Sequence, residues 1–64
     1  MIYTLTDEDY NRLKFFKKES KLKIAVEING ALKGELNYNY KELEDLIETL
    51  NLIKNKIKKE YNFN

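Results

Sequence analysis

The sequence predicts an α+β domain in which a two-stranded antiparallel hairpin is covered by two helices. The order is (β)αββα, the bracketed element being a short N-terminal strand over 2–5. Three observations lead there. Two stretches, Leu5-Thr6-Asp7-Glu8-Asp9-Tyr10 and Tyr38-Asn39-Tyr40-Lys41-Glu42-Leu43, carry the same helix-start pattern. Between them an alternating apolar run turns at Asn29-Gly30. After the second start, apolar residues recur at intervals of three and four for nearly three heptads.

The first predicted helix spans 7–19. Thr6 is placed as its N-cap, Asp9 as the acid that reaches back to the cap, and Leu5 with Tyr10 as the apolar staple. Tyr10, Leu13 and Phe16 then form one stripe, with acids in the first turn and Lys17-Lys18 in the last, as the helix dipole favours. Phe15 breaks the pattern, since at 100° per residue it points away from that stripe.

Residues 21–29 alternate, with Leu22, Ile24, Val26 and Ile28 on one side and Lys21, Lys23, Ala25 and Glu27 on the other. Residues 31–38 alternate too, with Leu32, Gly34, Leu36 and Tyr38 in phase. A two-residue Asn29-Gly30 loop would place Ile24 opposite Glu35 and put every apolar residue of one strand on a charged face of the other. Directly opposed residues share a face, so the parity calls for an odd loop, such as three residues ending at Gly30 with a G1 bulge. That register sets Val26 beside Leu32 and Leu22 beside Leu36.

The second predicted helix spans 40–60. Asn39 is its cap, Glu42 the answering acid, and Tyr38 with Leu43 the staple. Leu43, Leu46, Leu50, Ile53 and Ile57 form its core stripe, which is also a coiled-coil-like seam, and Leu52 stands roughly opposite. Acids crowd its first half and lysines its second. The tail 61–64 is expected to fray.

At 64 residues the chain makes one small domain, 1–64, of a size at which stability is thin without staples. Cys and His are absent, which excludes disulfides and Cys/His zinc sites. It also removes the commonest general base and the strongest nucleophile, so no enzyme and no cofactor are expected. The acid clusters Asp7-Glu8-Asp9 and Glu42-Glu44-Asp45 are accounted for as first helical turns. Gly30 and Gly34 are too few and too far from a helix start for a phosphate loop. No secretory apolar region opens the chain and no apolar run approaches the roughly 18 residues of a membrane span, so a cytoplasmic protein is expected.

With 12 basic and 11 acidic residues, the net charge of +1 fits neither a bulk nucleic-acid coat nor a DNA mimic. The expectation is therefore a non-catalytic protein-binding module, a small regulator or inhibitor of a larger protein. Accessory proteins of phages and mobile elements, including inhibitors of host nucleases and CRISPR effectors, are of this kind; that comparison is by genre alone. Phe15 and Leu52, large apolar residues off their stripes, with Arg12 and Lys18 beside Phe15, are the expected contacts. The alternative is a nucleic-acid-binding regulator using Lys14, Lys17, Lys21 and Lys23 together with Lys54 and Lys58. A homodimer through the 43–57 seam is a third arrangement.

Overall fold

The computed structural model describes the backbone of residues 2–63 and the side chains of residues 2–61. Four strands, β1 (Ile2–Thr6), β2 (Arg12–Lys18), β3 (Lys21–Ile28) and β4 (Ala31–Tyr38), precede one helix, α1 (Tyr40–Phe63). The strands pair antiparallel in sequence order. The architecture is thus ββββα, which corrects the predicted hairpin with two helices: no helix forms over 7–19.

The reason lies in residues 2–18. Leu13 and Phe15 alternate with Arg12, Lys14 and Phe16, a period of two that the apparent Tyr10–Leu13–Phe16 spacing hides. Phe15, the residue a helix could not place, lies opposite Tyr3 on one side and Ile24 on the other. Pairing β2 with β3 satisfies the backbone of both and gives β1 an edge to join. A helix at this position would have buried a stripe of only three residues.

The first helix-start pattern is occupied by a different local structure. Asp7 Oδ1 accepts hydrogen bonds from the backbone N–H of Asp9 and of Asn11, both at 2.9 Å. Asp7 N–H donates to the Asn11 carbonyl at 3.0 Å, and Tyr10 N–H to the Asp7 carbonyl at 3.1 Å. Tyr10 takes a left-handed φ of 65°. A short acidic side chain that bonds the backbone just ahead of it favours a turn in the same place where a neighbouring Thr could cap a helix. Asn11 Oδ1 then accepts the N–H of Asn29 at 3.1 Å, tying this loop to the β3–β4 turn. At the opposite end of the sheet Glu19-Ser20 joins β2 to β3, with Glu19 at φ 58° and Lys18 paired with Lys21.

The β3–β4 connection corrects the odd loop. Asn29 and Gly30, at φ 53° and 79°, form a two-residue turn that pairs Ile28 with Ala31, as mirror-type hairpin turns do. The parity conflict is resolved one step later. Glu27 pairs with Leu32 but Val26 with Gly34, so Lys33 is the extra residue of a bulge. Beyond it Ile24 faces Leu36 and Leu22 faces Tyr38, and the apolar residues share one face.

The second helix-start pattern forms as the sequence requires. Glu42 N–H donates to Asn39 Oδ1 at 2.9 Å, and Asn39 N–H donates to Glu42 Oε1 at 3.0 Å. The first intrahelical bond runs from Leu43 N–H to the Asn39 carbonyl. Lys41 Nζ adds a 2.8 Å ion pair to Asp45 one turn on. The helix continues through Phe63, past the predicted end; Asn64 and the side chains of Asn62 and Phe63 lie outside the described residues.

Among the described residues α1 touches the sheet only at its start. Leu43 and Leu46 are half-buried, while every other described side chain of the helix is exposed. Tyr38, Leu22 and Leu43 line one hollow there, and Tyr38 and Leu46 another. Among the described residues only Ile24 and Ala25 are buried. The molecule measures 41 × 31 × 18 Å with a radius of gyration of 14.0 Å, against about 11 Å for a compact chain of this length. A compact monomer of this mass exposes about 4,300 Å², whereas this chain exposes 5977 Å², a surplus of about 1,600 Å².

Candidate interaction surfaces

The register gives the sheet two chemically distinct faces. On the first, Tyr3 and Leu5 of β1 stand beside Leu13 and Phe15 of β2. Leu22, Ile24 and Val26 of β3 continue the layer, and Leu36 and Tyr38 of β4 close it. Among the described residues Lys17 is the one cation in this array, at the end near the helix start. Burying this layer against a helix is what a sheet of this pattern ordinarily does. Here the helix covers only the Leu22–Tyr38 corner, so Tyr3 and Leu5 are each 62% exposed and Leu36 is 51% exposed. At the far end Leu5, Leu13, Val26 and Ile28 form a hollow rimmed by Asp7, Asn11 and Arg12.

The second face is basic. It carries Arg12, Lys14, Lys18, Lys21 and Lys23 around Phe16 and Ala25, with Glu27 and Glu35 as its acids. Lys14 Nζ lies 2.8 Å from Glu27, and Lys23 Nζ lies 3.4 Å from Glu35 and 5.4 Å from the Phe16 ring centre. Such partly exposed pairs hold side chains in place more than they stabilise the fold. The long stems of Lys14 and Glu35, which flank Ala25, account for its burial at the centre of an uncovered face.

The residues expected as partner contacts are not brought together. Phe15 is half-buried in the middle of the apolar face. Arg12 and Lys18 lie at opposite ends of β2 on the basic face, and Leu52 is on α1, beside Ile47 and away from the three strand residues, at 59% exposure. Of the expected nucleic-acid contacts, Lys14, Lys21 and Lys23 share the basic face, Lys17 is on the apolar one, and Lys54 and Lys58 are exposed on the second half of α1.

No protein family, curated protein or solved structure matches this chain.

Sequence reasoning missed the contributions of Tyr3, Leu5, Leu13 and Leu36 to a single open surface. The signal was present in the odd-numbered alternation of 3, 5, 13 and 15. It becomes visible once 12–18 is read with period two. Among the described residues, no group of three or more acidic side chains is placed to share a metal ion, and no helix is long and apolar enough to cross a membrane.

Proposed function

We propose that this chain is a non-catalytic protein-binding module, a small regulator or inhibitor that engages a larger protein through the open apolar face of its sheet. One observation carries the reading: Tyr3, Leu5 and Leu36 are more than half exposed in the same layer as buried Ile24. Contiguous apolar surface of this kind on so small a chain is where protein partners dock. The absence of His and Cys from the sequence supports an action by contact, without chemistry.

A second reading, nucleic-acid contact, is favoured by the gathering of Arg12, Lys14, Lys18, Lys21 and Lys23 on the other face. The ion pairs of Lys14 and Lys23 lower its local charge, which ranks it below the first.

Affinity capture with three baits separates the two readings: the wild type, Leu36→Glu on the apolar face, and Lys21→Glu on the basic face. The first reading expects a protein retained by the wild type and by Lys21→Glu but lost with Leu36→Glu. Retention of nucleic acid that is lost with Lys21→Glu and untouched by Leu36→Glu would replace it with the second.

A further inference from the structure

The helix presents a second uncovered apolar surface, separate from the sheet face. Leu50, Ile53 and Ile57 lie on the same stripe as Leu43 and Leu46, yet are 54%, 47% and 59% exposed. Leu43 and Leu46 are half-buried where the helix starts, but beyond them the described part of the stripe is exposed, and apolar residues at 3-4 spacing left uncovered suit the seam of a helix pair.

Charge selects the partner and its direction. From Tyr40 to Asn51 the helix carries Glu42, Glu44, Asp45 and Glu48 against Lys41, a net of −3; from Leu52 to Phe63 it carries Lys54, Lys56, Lys58 and Lys59 against Glu60, a net of +3. A second copy laid antiparallel sets each acidic half on a basic half, whereas a parallel copy would oppose like charges along the whole length. Antiparallel pairing centred at residue 48 places Leu43 opposite Ile53 and Leu46 opposite Leu50, with Thr49 close to the two-fold axis. The same surface patch is used by both copies, as a closed two-fold dimer requires.

The area fits. The surplus of about 1,600 Å² on each chain is roughly twice what one partner buries in a standard interface of about 800 Å². One helix pair therefore accounts for part of it and leaves the sheet face for another molecule.

We infer that two copies of this chain associate through an antiparallel pairing of α1 along the Leu43–Ile57 seam. The pairing meets the sheet face only at the Leu22–Tyr38 corner beside Leu43 and uses none of Tyr3, Leu5 and Leu36, so it stands or falls independently of the proposed function.

Sedimentation velocity of the full chain from micromolar to submillimolar concentration is the first arm. The wild type is expected to rise from the 7.7 kDa monomer to twice that mass. Leu50→Glu, at the seam, is expected to stay monomeric, and Leu52→Glu, off the seam and equally exposed, to dimerise like the wild type. The second arm uses the natural absence of cysteine. Thr49→Cys is expected to form an intermolecular disulfide on mild oxidation and Lys56→Cys is not, because in the antiparallel pair position 56 faces position 40 of the other copy. A wild type that remains monomeric overturns the inference. So does a dimer unaffected by Leu50→Glu, or equal disulfide formation by the two cysteine variants, which would mean parallel helices.

Discussion

Replacing Asp7 with Ala, compared with replacing Thr6 with Ala, separates the strand–turn–strand arrangement of residues 2–18 from a helix over 7–19. In the structure one oxygen of Asp7 accepts two backbone N–H groups at 2.9 Å, and the other lies 3.4 Å from Asn11 Nδ2. A net hydrogen bond contributes about 0.5–1.5 kcal/mol, more when the acceptor is charged and less when solvent can replace it. The loop is exposed and the two strong bonds share an atom, so Asp7→Ala is expected to cost about 1–2 kcal/mol. Thr6 ends β1 on the exposed basic face, where Thr→Ala costs about 0.5 kcal/mol or less. With a urea slope of about 1 kcal/mol/M for so small a chain, the unfolding midpoint falls by about 1–2 M for Asp7→Ala and under about 0.5 M for Thr6→Ala. A helix capped by Thr6 would reverse the ranking, because losing a cap costs about 1 kcal/mol and losing a first-turn acid about 0.5 kcal/mol. A larger loss from Thr6→Ala, with unchanged slopes, would refute the turn.

The two glycines should respond oppositely to alanine. At Gly30, φ 79° strains any side chain, so Gly30→Ala is expected to destabilise by about 1 kcal/mol. Gly34 has no such φ and open space where a Cβ would go, so Gly34→Ala is expected to stabilise by about 0.5 kcal/mol; both are read by thermal or urea unfolding. Phe15→Ala removes the side chain that lies between Tyr3 and Ile24 in the register and, for a half-buried ring, is expected to cost about 2 kcal/mol; an unchanged midpoint would place Phe15 outside the core.

Much of the C-terminal half was legible because independent signals agreed there. At residues 38–43 the cap, the answering acid and the staple precede a stripe that runs unbroken to Ile57, so cap chemistry and periodicity point to the same helix. The same cap pattern at Thr6 misleads because nothing behind it sustains the period. Tyr10, Leu13 and Phe16 at spacing three imitate a helical stripe and hide the Leu13–Phe15 alternation, and Asp7 next to the apparent cap bonds the backbone on its own account. The parity of the hairpin was legible, but its remedy was not. An odd loop and a bulge satisfy the same alternation, and the left-handed preference of Asn-Gly kept the turn at two residues and moved the extra residue to Lys33. The candidate surface follows from the same ambiguity: a helix over 7–19 leaves Phe15 an isolated anchor, whereas the strand sets it between Tyr3 and Ile24 at the centre of a layer.

The temperature dependence of the binding enthalpy, measured calorimetrically on the complex with the protein that the wild type retains, tests the apolar-face account most directly. Burial of Tyr3, Leu5 and Leu36 at the interface predicts a distinctly negative heat-capacity change that shrinks with Leu36→Glu, and affinity that changes little with salt. A heat-capacity change near zero, with affinity falling steeply as salt rises, would contradict it and transfer the contact to the basic face.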